Sequence, residues 1–90
     1  MSDDGRMVQL LAVVQAGDDS DTPVDNAIIA ERLGWNLEDV AACLHEAKER
    51  SFVWGRRSGD KPEPWYHELE ITVQGRRLVR NFVVADDPST

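Results

Sequence analysis

The sequence predicts an α+β fold: three helices, a two-stranded hairpin, and a last helix. Three observations carry this. Apolar residues recur at helical spacing in separate stretches, capping and stopping residues sit between those stretches, and two extended segments flank a turn that holds two prolines. Ninety residues with a hydrophobic share of 41% suit one domain. A domain of this size leaves little room for a deep, walled catalytic cavity.

A first helix is predicted over residues 5–15, where Met7, Leu10, Leu11 and Val14 form one stripe. Residues 17–21, Gly-Asp-Asp-Ser-Asp, read as a loop. Thr22 then reads as an N-cap with Pro23 in the first helical position, and that helix carries Ile28, Ile29 and Leu33. Gly34 stops it, because glycine takes the left-handed conformation that helix ends favour. Asn36 caps a third helix, with Asp39 complementing its exposed N–H groups and Val40, Cys43, Leu44 and Ala47 turned inward, running to about Ser51. Trp35, at the corner between these two helices, reads as a large side chain wedged under the turn.

Extended segments are predicted from Phe52 and over residues 65–71, joined by a turn over residues 57–64. Trp54 and Trp65 are expected to cover one end of this small sheet as a cross-strand aromatic pair. Thr72 caps the last helix, over about residues 73–84, with Leu78, Val79, Phe82 and Val83 on its apolar side. Arg76, Arg77 and Arg80 read as its wet face. The short polar ends, residues 1–4 and 85–90, are expected to be mobile.

Charge narrows the function. The net charge is −7, which disfavours long-range attraction to nucleic acid or anionic membrane. It is unevenly spread, since residues 52–80 hold six bases against four acids while every other stretch is acidic. The single cysteine, Cys43, excludes an internal disulfide framework and reads as a small core residue. The sequence has neither an apolar run of membrane-spanning length nor a basic-then-apolar leader, so a cytoplasmic protein is expected. His45 and Glu49 are four apart on a helix, but no third ligand joins them, and no phosphate-cradling glycine motif or nucleophile elbow is present. The sequence therefore predicts no enzyme, no cofactor and no metal site.

Two stretches carry a resemblance. Ile29-Ala30-Glu31-Arg32-Leu33-Gly34-Trp35-Asn36-Leu37-Glu38-Asp39-Val40 resembles the helix-turn-helix core of winged-helix regulators. Leu69-Glu70-Ile71-Thr72-Val73-Gln74-Gly75-Arg76-Arg77-Leu78 is similar to the passage from the last strand of the wing into the helix that follows. The resemblance implies a winged helix-turn-helix fold, with the helix-turn-helix over about residues 23–51 and the wing over about residues 52–72. It also implies a small DNA-binding transcriptional regulator acting on double-stranded DNA. In that reading Asn36, Ala42 and His45 face the groove, and Arg56, Arg57 and Lys61 of the wing grip phosphates.

The residues themselves keep a second reading open. The outward face of the third helix holds Glu38, Ala42, His45, Glu46 and Glu49, and it lacks the Arg, Lys, Asn or Gln that pair best with purines. Such a face suits a protein-interaction module whose Glu38, Glu46 and Glu49 dock on a basic partner, with no direct contact to DNA. Surplus apolar area on the first and last helices, at Val8, Ala12, Val13, Phe82 and Val83, predicts a homodimer. Equally, the two helices could bury this surplus against each other within one chain.

Overall fold

The computed structural model describes residues 4–85. In chain order it contains α1 (Asp4–Asp19), α2 (Asn26–Leu33), α3 (Leu37–Glu49), β1 (Val53–Ser58), β2 (Trp65–Ile71) and α4 (Val73–Ala85). This is the predicted order, and the departures lie at element ends. The ends expected to be mobile lie outside the described residues apart from Asp4 and Ala85, which are helical.

α1 is the hub, touching each of the other helices and β2. That explains its broad apolar arc, with Met7, Val8, Leu10, Leu11 and Val14 all buried. They join Val24, Ile29, Val40, Leu44 and Ala47 from the helix-turn-helix side, and Val53, Tyr66, Leu69 and Ile71 from the hairpin. Cys43 is half-buried at the margin of this core rather than within it.

α1 runs past the predicted loop to Asp19. Glycine and acidic residues weaken a helix C-terminus, and here one tertiary and one local bond offset them. Asp18 Oδ2 accepts the Ile71 N–H at 3.3 Å, and Ser20 Oγ donates to the Ala16 carbonyl at 2.8 Å. α2 starts later than predicted: Asp25, not Thr22, is its N-cap, accepting the Ile28 N–H at 2.9 Å. The reason is distant in sequence. The Val24 carbonyl accepts the Leu69 N–H at 3.0 Å, which ties the chain before α2 to β2 and keeps residues 22–25 out of the helix.

The corner between α2 and α3 is as predicted. Gly34 has φ 70° and donates its N–H to the Ala30 carbonyl, and Asn36 Oδ1 then accepts the Asp39 N–H at 2.8 Å to start α3. Thr72 caps α4 through Oγ1, which accepts the Gly75 N–H at 3.0 Å while donating to the Ser51 carbonyl at 2.7 Å. Gly75 is needed for closeness: a Cβ there would run into the Phe52 carbonyl oxygen and lie 2.7 Å from Ile71 Cγ1.

β1 and β2 pair antiparallel, with Val53 opposite Ile71, Trp54 opposite Glu70, Arg56 opposite His67, Arg57 opposite Tyr66 and Ser58 opposite Trp65. Glu68 and Leu69 thus face Gly55 alone, a bulge in which Glu68 takes φ 52°. The bulge frees the Leu69 N–H for Val24. This register corrects the expected pairing of Trp54 with Trp65, because the two indoles lie at opposite ends of the hairpin. Trp54 is 61% exposed, with Lys48 Nζ 5.7 Å from its ring centroid.

Candidate nucleic-acid interface

The outward side of α3 is built by its burial pattern. Val40, Ala41, Leu44 and Ala47 face the core, which leaves Glu38, Ala42, His45 and Glu49 exposed and Glu46 half-buried. Asn36, at the head of this face, is exposed but has committed its side-chain oxygen to capping. Its amide nitrogen is the group left to meet a partner.

Two of the four acids of α3 are neutralised locally. Asp39 Oδ2 lies 3.4 Å from Arg6 Nη2, and Glu46 Oε2 lies 3.2 Å from Arg50 Nη1. Glu38 and Glu49 have no cationic partner among the described residues. Arg6 also lies over the Trp35 ring, 4.6 Å from its centroid, which ties the N-terminal turn of α1 to the helix-turn-helix corner. Trp35 itself is half-buried against the core, as a corner wedge should be.

The wing divides its cations. Neighbouring residues of a strand point to opposite faces. Arg57 therefore shares a face with buried Tyr66, and Arg56 shares the other with His67. Lys61 Nζ is 3.9 Å from Glu63 Oε2, and His67 Nε2 is 3.4 Å from Asp60 Oδ2, which also accepts the Ser58 hydroxyl at 2.9 Å. Arg56 and Arg57 are exposed and have no carboxylate partner among the described residues.

The basic stripe of α4 is split as well. Arg76 is not simply wet: it binds Asp19 and Asp18 at the end of α1, while Arg77 and Arg80 stay exposed. The hydrogen bond that Arg76 donates to Asp19, aided by the charges of both aspartates, raises the Arg76 pKa above its ordinary value.

Of the residues expected at a dimer interface, Val8 is only 8% exposed and is covered within the chain, and Val13 is half-buried against the core. Ala12 is exposed and Phe82 is 37% exposed. The side chain of Val83 lies outside the described residues. α1 and α4 pack on each other, so much of the apolar surplus is used internally.

Two residues escaped the sequence reading. Arg6 carried no signal because its partners, Trp35 and Asp39, are distant in the chain. Asn26 is fully buried: its Nδ2 donates to the Pro64 carbonyl at 3.0 Å, and its Oδ1 accepts the Tyr66 N–H at 2.9 Å. A polar residue near a helix start reads as a surface residue until the wing is folded against it.

No family model matches the chain, and no curated protein does. Among solved structures, a mutant of MepR from S. aureus is similar with a TM-score of 0.71 and 14% identity, over 94% of this chain. The chain spans 58% of the length of that MepR chain. The shared order of helices, corner and hairpin makes this an α+β domain with the winged-helix fold.

Proposed function

We propose that this chain is a winged-helix DNA-binding protein acting as a transcriptional regulator. In this reading α3 approaches the major groove through Asn36, Ala42 and His45, and the wing holds phosphates. The observation that carries it is the state of the wing. Arg56 and Arg57 are exposed and unpartnered by carboxylates among the described residues, whereas Asp60 and Glu63 at the tip are engaged by His67 and Lys61. Lys61 is therefore the weakest of the three wing contacts. The likeness to MepR, a winged-helix regulator, supports the reading at the level of fold.

The acidic α3 is less of an obstacle than its composition suggests. Arg6 and Arg50 neutralise Asp39 and Glu46, which leaves Glu38 and Glu49 as the α3 carboxylates without a cationic partner among the described residues. Nothing in the comparisons supports the alternative of an acidic module docking on a basic protein. A second copy of the chain, meeting along Ala12 and Phe82, would set two α3 helices on successive half-sites.

Fluorescence anisotropy with mixed-sequence duplex at low salt tests this reading. Binding at micromolar protein that weakens steeply with added salt is the expected result. Absence of binding at tens of micromolar protein overturns it. Light scattering on the same samples checks the second copy, and a mass near 10.1 kDa at high micromolar concentration rejects it.

A further inference from the structure

We infer that Asn26 is the positioning residue that aims the wing, an inference that rests on the wing's proposed contact with phosphates. Asn26 is 0% exposed, in the first turn of α2, and it spends its amide on the backbone of another element. Its two bonds bracket Trp65: Nδ2 donates to the Pro64 carbonyl at 3.0 Å, and Oδ1 accepts the Tyr66 N–H at 2.9 Å. One amide side chain thus holds the strand on both sides of one residue, across sequence separations of 38 and 40. Two residues earlier, the Val24 carbonyl takes the Leu69 N–H at 3.0 Å. The segment from Val24 to Asn26 therefore fastens β2 at two backbone groups and the residue before it at a third.

Arg56 and Arg57 lie on β1, the strand that this segment does not bond, and they reach the body of the domain largely through β2. Leu69 is secured near the base by its backbone bond to Val24 and by its buried side chain. Toward the tip, beyond the buried Tyr66 side chain, the Asn26 amide is the polar tie to the body of the domain, and the ladder ends at the pair of Ser58 with Trp65. Buried amides without partners are costly, so the two bonds form together, and they fix one hairpin angle relative to α2. An apolar residue at position 26 could fill the space, but it would leave the Pro64 carbonyl and the Tyr66 N–H unpaired and the hairpin angle unset.

The experiment has a DNA-free arm and a DNA arm. In the first, amide hydrogen exchange is measured on the unaltered chain and on Asn26→Ala, with Val14→Ala as a control that loosens the shared core without removing either hydrogen bond of Asn26. The Tyr66 amide of the unaltered chain is expected to exchange at least tenfold more slowly than the amides of Gly59 and Asp60. In Asn26→Ala that protection is expected to fall to the level of the tip, while the amides of Leu44 and Ala47 stay protected. Asn26→Asp, which keeps the acceptor for Tyr66 but cannot donate to Pro64, is expected to lie between. An unprotected Tyr66 amide in the unaltered chain overturns the inference without any variant, as does equal loosening of the wing by Val14→Ala. In the second arm, Asn26→Ala is expected to lower duplex affinity about tenfold and flatten its salt dependence, which Val14→Ala leaves unchanged. Unchanged salt dependence in Asn26→Ala overturns the aiming role. A chain that clamps Tyr66 but binds no duplex defeats the DNA reading and leaves the clamp standing.

Discussion

Arg76 Nη2 lies 2.9 Å from Asp19 Oδ1 and 3.5 Å from Asp18 Oδ2, so one cation at the start of α4 holds the two acids that close α1. Carboxylates are disfavoured at a helix C-terminus, where the helix dipole is negative, and two adjacent ones also repel each other. Arg76 offsets both effects, and Asp18 adds its bond to the Ile71 N–H. Arg76→Ala is expected to lower the melting temperature at low salt. The gap to the unaltered chain should narrow at about 1 M salt, where the Debye length is only about 3 Å. Thermal melts at the two salt concentrations check this, and a gap independent of salt would show that packing, not charge, is what Arg76 provides.

Gly75 lets the first turn of α4 close over the chain entering β1. Its missing Cβ would meet the Phe52 carbonyl, which also accepts the Thr72 N–H and cannot easily retreat. Gly75→Ala is expected to cost about 2–3 kcal/mol in urea denaturation, as overpacking against backbone does. Gly59→Ala, where nothing lies within reach of a new Cβ, is expected to be nearly neutral. Equal losses at the two positions would show that the contact at Phe52 is not what requires glycine.

Asn36 carries two expected roles that substitution can separate. As the cap of α3 it accepts the Asp39 N–H at 2.8 Å, and Asn36→Ala is expected to cost about 1 kcal/mol. Asn36→Ser restores a capping oxygen and is expected to recover most of that stability, but it removes the amide that would meet a base. Duplex affinity should therefore fall in both variants while stability falls in only one. Affinity that follows stability alone would reduce Asn36 to a cap.

The fold was largely legible because its punctuation is local. Gly34, Asn36 and Thr72 each make their capping bond to a group within four residues, and the apolar stripes of α1 and α3 need only helical period. What could not be read depended on partners far along the chain. Asp25 caps α2 because Val24 must stay extended to serve Leu69, and α1 outlasts its weak last turn because Arg76 and Ile71 hold Asp18. The register that separates Trp54 from Trp65 is set by where the chain turns, between Ser58 and Trp65, and the bulge at Glu68 shifts the pairing by only one residue more; nothing in the composition of β2 marks where that extra residue will fall. The site followed the same division. The exposed face of α3 came directly from periodicity, whereas the pairing of Lys61, Asp39 and Glu46 and the burial of Asn26 appear only in the folded chain.

Under the proposed function the wing arginines should raise duplex affinity and Glu38 and Glu49 of α3 should lower it, and this gives its sharpest check. Arg56→Ala with Arg57→Ala removes the two wing cations that have no carboxylate partner among the described residues. Affinity is expected to fall at least tenfold at low salt, and the slope of log affinity against log salt should flatten by about 0.9 for each phosphate that the wing no longer neutralises. Because Arg56 and Arg57 lie on opposite faces of the strand, one of the two single variants should account for most of the loss. Glu38→Gln with Glu49→Gln removes charge that in the proposed function would face phosphates across water, where a unit pair at 4 Å is worth about 1 kcal/mol. That pair of substitutions should tighten binding several-fold at low salt and have little effect at high salt. A basic protein partner would give the reverse order, with the glutamine variants weakening association and the wing variants leaving it intact. The sign of the Glu38 and Glu49 effect therefore decides which kind of surface α3 meets.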